Sequence, residues 1–419
     1  VSVAAPEEQG LRHGVYVQSP QGNHVHAFLH KASAEDLGHM HAVDNEGYVQ
    51  IDTGLVWFDA SSAGQLAHLS QEKPVSMLMD GPDAEPGINL YGDLLLPLAQ
   101  STQYQAYLAD ESDGPATPLL QQARGVIWRQ MRGTPFNVER FHPAVFVHFG
   151  SSAEYWRMVA DDPALMELCG WSRSASSWSE PAESQASGFP VLVNSIVKCI
   201  DAQSTTELSN ISNSALITDS EVESLSWRER AIIANVRTSQ TLDLGSNIIV
   251  HQLPLDCGYV TRILGMTDDP KHLWTDQRAT FVNRTWDEWL ATMGISPAEL
   301  WAHVPEDEWN LWNARLFPCQ EKRDDSLTLS LPLQATVPTP AGWYERWRNS
   351  SRFSLAEGFV AADGQKIMDD IAHVEDLVAV AVASDNIRTE EPATDVAATI
   401  ATSEAEYKKK RRGLLHTWL

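Results

Sequence analysis

The chain has 419 residues and a net charge of −26, from 56 acidic against 30 basic side chains. Such a field repels nucleic acid and anionic membranes, and no run approaches the ~20 apolar residues that span a bilayer. With 43% apolar and 21% charged residues, the composition is that of an ordinary globular protein, long enough for two or three domains.

Residues 1–10 lack a basic stretch followed by an apolar core, so no signal peptide is expected, and no initiator Met is present. Val15-Tyr16-Val17, Ala27-Phe28-Leu29 and Leu55-Val56-Trp57-Phe58 read as strands. Residues 34–38 and 62–69 read as short helices, the second capped by Ser61 or Ser62. Apolar stripes predict helices over 94–99 and 103–108, then a strand at Ala144-Val145-Phe146-Val147 and a helix over 152–159. Strands alternating with helices imply an α/β sheet domain over residues 1–173. Residues 174–188 are Ser-rich with few branched side chains and are expected to form a linker.

From Phe189 the pattern changes. Val236, Leu242 and Ile248 recur every sixth residue, as do Ile211 and Ile217, and Leu216 and Val222, with small polar residues between. A six-residue period is the mark of a parallel β-helix whose coils stack around a common core, against an ordinary antiparallel β domain as the other reading. The β-helix is expected over residues 189–275, broken at Ser226-Trp227-Arg228-Glu229-Arg230. Residues 276–382 read as helical. Trp286, Trp289, Leu290 and Met293 share a face, Ser296-Pro297 opens a helix carrying Leu300 and Trp301, and Ser354-Leu355-Ala356-Glu357 has capping-box spacing. Ile367, Ile371, Val374 and Val378 form a further stripe, and residues 383–419 read as a polar tail with the basic run Lys408-Lys409-Lys410-Arg411-Arg412. The four cysteines, Cys169, Cys199, Cys257 and Cys319, show no C-x-x-C spacing. That argues against a zinc site and a disulfide framework and fits a reducing, cytoplasmic setting.

Several blocks occur together in one order: His13-Gly14-Val15-Tyr16-Val17, Phe28-Leu29-His30-Lys31, Asp52-Thr53-Gly54-Leu55-Val56, Tyr91-Gly92-Asp93-Leu94 and Gly133-Thr134 with Asn137. They continue with His148-Phe149-Gly150-Ser151-Ser152-Ala153-Glu154-Tyr155 and close with Leu311-Trp312-Asn313-Ala314-Arg315-Leu316-Phe317-Pro318. In this the chain resembles the fucose-1-phosphate guanylyltransferase (GDP-fucose pyrophosphorylase) family, also found as one half of bifunctional L-fucokinase/GDP-fucose pyrophosphorylases. The resemblance implies a partial Rossmann-like nucleotidyltransferase sheet domain, then a left-handed parallel β-helix and C-terminal helices. It implies transfer of GMP from GTP to L-fucose 1-phosphate with release of pyrophosphate, and Mg²⁺ as cofactor. The expected partners are therefore nucleotide and sugar phosphate, with neither nucleic acid nor membrane. The sequence fixes neither metal ligands nor oligomeric state.

The chemistry needs two anions held in line and their charge neutralised. Lys31, beside His30 at a predicted strand end, is the candidate phosphate contact, although Ala32 stands where the family has Pro. Its bland alternative is a surface lysine. Asp52, Thr53 and Gly54 are candidate sugar contacts in a turn that opens a strand, or plain turn chemistry. Asp93 is a candidate ligand whose local pattern also suits a helix N-cap before Leu94. Gly150, Ser151 and Ser152 lie between a strand and a helix, where N–H groups can hold an anion. The Trp312-to-Pro318 block reads as packing.

The family's Gly-rich triphosphate loop has no counterpart in these residues, nor does the phosphate loop of the sugar kinases. The expectation is a fragment or divergent member, inactive by itself. The alternatives are a non-catalytic β-helix protein serving assembly or regulation, a part of a bifunctional L-fucokinase, and, least supported, a hexapeptide acyltransferase.

Overall fold

The computed structural model describes residues 1–80, 87–112, 114–180, 190–202, 214–336 and 341–389. The chain divides into two compact units, Val1–His148 and Phe149–Leu419, a split that falls ahead of the Ser-rich stretch. The expected position Ile211 and the basic run at 408–412 lie outside the described residues.

The first unit is built on a five-stranded sheet: β1 (Ser2–Pro6), β2 (Gly14–Gln18), β3 (Val25–His30), β4 (Tyr48–Asp52) and β5 (Arg140–Phe141), in the order β3-β2-β4-β1-β5. Every neighbouring pair is antiparallel except β1 with β5. The expected α/β unit thus has a mixed sheet in which antiparallel pairing dominates. The side-chain period of two puts Val15, Val49 and Ile51 on one face with Leu37, and Tyr16, Val25 and Phe28 in a second cluster with Ala99 and Val138.

Two predicted strands are not strands. Leu55-Val56-Trp57-Phe58 and Ala144-Val145-Phe146-Val147 are irregular, and Trp57 is 90% exposed. Apolar content suits a strand, but no neighbouring strand pairs with either segment. The helix Ala60–Leu69 is capped by Asp59, which accepts from Ser62 N, rather than by a serine. Residues 90–98 form a π turn, Leu90–Leu95, followed by a 3₁₀ turn, Leu96–Leu98.

A helical layer completes this unit. Its main element is Pro118–Met131, opened by Thr117 as N-cap with Pro118 in the first turn. Leu120, Ala123, Ile127 and Met131 recur on one face and pack on Leu69, Val75, Leu78, Leu95 and Leu98. Asp93 and Arg124 pin the layer from inside. The Arg124 Nε–H donates to Asp93 Oδ1 at 2.7 Å, and both side chains are almost fully buried. The rest of the guanidinium donates to the carbonyls of Tyr107, Leu108 and Asp110.

The second unit winds between two sheets. Strands β6 (Ser174–Ala175), β8 (Val191–Val193), β10 (Ala215–Thr218), β12 (Ala231–Ala234) and β14 (Ile248–Leu255) are parallel neighbours in one sheet. Strands β7 (Trp178–Ser179), β9 (Ile196–Ala202), β11 (Glu221–Trp227) and β13 (Arg237–Leu244) are parallel neighbours in the other. The chain visits the sheets alternately. Ala215 lies beside Ala231, and Ala231 beside Ile248. Residues 174–179, expected to be linker, already form the first coil. Strand β15 (Gly258–Gly265) ends the parallel run by folding back antiparallel on β14, and Phe317–Gln320 and Arg352–Phe353 extend that edge.

Each passage from the large sheet to the small one turns on a residue with positive φ: Ser176, Asn194, Asp219 and Asn235, at φ of 48° to 53°. Asn, Asp and Ser tolerate this left-handed conformation at short polar corners. Two corners bond to each other, Asn194 Nδ2 donating to Asp219 Oδ1 at 2.8 Å, and Asn235 Nδ2 donates to the carbonyl of Gln252 in β14 at 3.0 Å.

Val236, Leu242 and Ile248 enter one buried cluster with Ile217 and Val222, as their spacing required. Leu216 does not; it faces the opposite side and packs with Trp156, Ile232 and Met266. The segment 226–230 is no break, since Trp227 ends β11 inside the core. The predicted helical faces hold: Trp286, Trp289, Leu290, Met293, Leu300 and Trp301 are buried, and Leu311, Ala314, Leu316 and Phe317 join them. The last helix runs Gly364–Thr389, past the expected start of the tail at 383. Cys257 and Cys319 form a disulfide, where the scattered spacing had argued against a disulfide framework. Pairing of Phe317–Gln320 with β15, Cys319 beside Val260, brings together residues 62 apart in sequence, a proximity that local spacing does not encode. Among the described residues no helix is long and apolar enough to cross a membrane.

Leu242→Ala is expected to destabilise the second unit by about 2–5 kcal/mol through the cavity it leaves, and the exposed Thr241→Ala by less than about 0.5 kcal/mol. A urea melt followed by tryptophan emission checks this, and equal small effects would place Leu242 outside the core. Arg124→Met, which strands a buried carboxylate, is expected to lower the stability of the first unit by about 3–5 kcal/mol. Adding Asp93→Leu to it should recover part of the loss in a circular-dichroism melt.

Candidate functional site

Three strands of the first unit end or begin at the same edge of the sheet. His30 closes β3 and pairs with Gly14, which opens β2, and Asp52 closes β4 next door. Gly14 is required here. A Cβ on it would lie 2.8 Å from the Phe28 ring and 3.3 Å from Asp52 Cβ, so its absence lets that ring and that carboxylate close over the strand.

Asp52 is 6% exposed, and its Oδ1 accepts a 2.7 Å hydrogen bond from the Tyr16 hydroxyl. The Tyr91 hydroxyl lies within the field of the same carboxylate. Burial first, and then the field of Asp52, raise both phenols above their ordinary range, so both stay protonated donors at neutral pH. The Tyr91 ring stacks on Phe28 at 6.0 Å and lies 5.7 Å from the half-buried His30 ring. Gly54, at φ 75°, faces the Tyr91 hydroxyl, 3.8 Å from where its Cβ would be.

Lys31 follows His30 directly and is exposed, in the left-handed conformation at φ 49°. Its N–H donates to the His13 carbonyl, and two residues later Ser33 caps the helix Ala34–His39 through a reciprocal box with Asp36. The strand end and the capped helix therefore fix the backbone from which the ammonium extends.

Thr53, Asp93 and the Gly150-Ser151-Ser152 turn fall outside this cluster. Asp52-Thr53-Gly54 closes a strand instead of opening one, and the Thr53 hydroxyl donates to the Val1 carbonyl at 3.0 Å. Asp93 is not an N-cap; Asn89 is, accepting from Tyr91 N and Gly92 N. Both Asp93 oxygens face protein donors, Arg124 Nε and the Asn89 N–H, so its role is in the helical layer. In the second unit, Ser151 caps Ser152–Ala160 by accepting from Glu154 N. The Gly150 N–H that was to meet an anion donates to the Glu154 carboxylate at 2.9 Å. The Gly150-Ser151-Ser152 turn thus carries its own acidic partner.

Tyr16, Phe28, Tyr91 and Gly14 complete the Asp52 cluster without having been singled out from sequence. The signal was present, because all four lie in the ordered blocks that carry the family resemblance. Among the described residues no group of three His, Cys, Asp or Glu side chains is placed to hold a metal ion.

No solved structure matches the chain at a significant level. Among curated proteins, fucose-1-phosphate guanylyltransferase of Mus musculus is 23% identical over 382 residues, covering 83% of this chain and 61% of that protein, so the chain spans about three fifths of its relative's length. The family model of the fucose pyrophosphorylase domain matches residues 1–322, well over half of the sequence, and the chain belongs to that family.

Proposed function

We propose that the first unit holds the sugar-phosphate side of a fucose-1-phosphate guanylyltransferase site. The observation that carries this reading is the cluster at one sheet edge, where Lys31 stands beside His30 and a buried Asp52 accepts from the Tyr16 hydroxyl with Tyr91 close by, inside the region that matches the family. In this reading the Asp52 carboxylate and the Tyr91 hydroxyl bond sugar hydroxyls, and the Phe28–Tyr91 stack offers a flat face to the ring. Lys31 neutralises the 1-phosphate as a point charge. An oxygen of that phosphate attacks the α-phosphorus of GTP, the α–β bond breaks, and pyrophosphate leaves.

Among the described residues no cluster of His, Cys, Asp or Glu is placed to form a resident metal site. Mg²⁺ in this reading arrives on the nucleotide's phosphates as part of the substrate, the common mode for an ion that keeps its waters. We also read the coiled region as a left-handed β-helix, supported by the six-residue steps from Val236 to Leu242 to Ile248. With no Gly-rich triphosphate loop among these residues, the chain by itself is expected to bind the sugar phosphate without turning it over.

Calorimetric titration with L-fucose 1-phosphate tests the reading. Lys31→Ala is expected to weaken binding roughly 10- to 100-fold, the worth of a charge-assisted phosphate contact, and Asp52→Ala to weaken both fucose 1-phosphate and free fucose. Affinity unchanged in Lys31→Ala returns that residue to the surface. A pyrophosphate-release assay with GTP and Mg²⁺ is expected to stay at background, and steady turnover would refute the claim that this chain is incomplete as a catalyst.

A further inference from the structure

Two histidines meet at the sheet edge that bears Lys31. His13 stands directly before Gly14 and opposite Lys31, whose N–H donates to the His13 carbonyl at 3.2 Å. Side chains alternate across a strand. Tyr16 and Phe28 therefore lie with the Asp52 cluster on one face, and Val15, Leu29 and Ile51 lie on the other. After Phe141 on β5 the chain crosses this second face, laying the half-buried Phe146 on the Val15 and Ile51 cluster. Two residues later His148 arrives beside His13. The His13 ring meets Phe146 edge-on at 5.0 Å and His148 at 4.7 Å, and the rings of Phe146 and His148 stack at 6.4 Å.

Three segments remote in sequence thus bring His13, Lys31 and His148 to one end of one sheet: the approach to β2, the end of β3 and the stretch after β5. Lys31 and His148 are exposed and His13 is partly so, which leaves the group open to a ligand. Phe146 is anchored in the sheet's core and sets the planes of both imidazoles. Each imidazole carries one N–H when neutral and two when protonated, and either form donates to a phosphate oxygen. Lys31 supplies the positive charge beside them whatever their protonation. Gly14 links the two faces. It follows His13, and a Cβ on it would lie 3.3 Å from Asp52 Cβ, so the imidazoles stand one residue from the carboxylate cluster.

We propose that His13 and His148 are phosphate-binding residues that donate to oxygens of the same phosphate monoester that Lys31 neutralises. The inference rests on the sugar-phosphate reading above and divides its edge by face. Hydroxyls of the sugar go to Asp52 and Tyr91 on one side, and the phosphate oxygens go to Lys31 and the two imidazoles on the other. Selection of a sugar phosphate over the free sugar then falls to the second face.

The test titrates the full chain calorimetrically with L-fucose 1-phosphate and with free L-fucose, in the parent and in His13→Ala and His148→Ala. Each variant is expected to lose about tenfold or more in affinity for the phosphorylated sugar, the worth of a hydrogen bond to a charged group, and to bind free fucose as the parent does. A second readout needs no sugar. In protein carrying isotope-labelled histidine rings, inorganic phosphate is expected to shift the two nuclear magnetic resonance signals that disappear in His13→Ala and His148→Ala. His148 is exposed, so its variant is expected to melt with the parent and keeps the test informative if His13→Ala folds poorly. Parent-like affinity of His148→Ala for fucose 1-phosphate, with its ring signal unmoved by phosphate, overturns the proposal. So does an equal loss for free fucose, which would make the rings mere supports of the sheet edge. If Lys31→Ala still weakens binding in that event, the reading of Lys31 stands without the histidines. If phosphate shifts both rings while the parent does not bind fucose 1-phosphate, the phosphate corner stands and the sugar reading fails.

Discussion

A backbone turn that few residue types accept governs the second unit. At Ser176, Asn194, Asp219 and Asn235 the chain adopts positive φ and swings from the large sheet to the small one. For a residue with a Cβ that conformation costs about 1–2 kcal/mol, less where a short polar side chain bonds locally. Because side chains alternate along a strand, a slip of one residue at any corner would turn a whole row from core to surface. Ile217 and Leu216 show how narrow the margin is, one entering the central cluster and the other facing Trp156. Bonds from two of the corners, Asn194 to Asp219 and Asn235 to the Gln252 carbonyl, tie successive coils together.

The first unit depends on a different constraint, the burial of carboxylates. Asp93 lies inside the helical layer, fully engaged by Arg124 and a backbone N–H, and its work is finished when the layer is assembled. Asp52 lies at the sheet edge, where the donor that meets it is the Tyr16 phenol. Phenols are neutral donors, so they hold the carboxylate in place without cancelling its charge, and its acceptor capacity persists. Two buried acids in one unit thus have opposite characters, set by whether a cation or a hydroxyl meets them.

Much of this architecture was legible where a local rule applies. The face of Trp286, Trp289, Leu290 and Met293 follows helical period and a capping box, and Val236, Leu242 and Ile248 follow the six-residue step. The strand at Tyr48–Asp52 went unread in favour of Leu55 to Phe58, because composition cannot say which apolar segment finds a partner strand. The helix Pro118–Met131 was missed although Thr117-Pro118 and the spacing of Leu120, Ala123, Ile127 and Met131 announce it. The candidate cluster was half visible: His30, Lys31, Asp52 and Gly54 stood out as motif residues. Tyr16 is 36 residues from Asp52, and the bond between them exists only through the β3-β2-β4 order. The corners looked like polar filler, since φ leaves no mark in sequence beyond a preference for Asn, Asp and Ser.

The distribution of indoles has an optical consequence. Of the 15 tryptophans only Trp57 and Trp128 belong to the first unit, and Trp57 is already in water. In the second unit Trp156, Trp289, Trp301, Trp343 and Trp347 are buried, each donating its N–H to a main-chain carbonyl, and several lie within energy-transfer distance of one another. Ultraviolet emission from this chain is therefore a signal of the coiled unit and its helical cover. The sheet that bears Lys31 and Asp52 is nearly dark, and Trp128, with the Arg132 guanidinium 4.7 Å from its ring, is the one native lamp set within its helical layer.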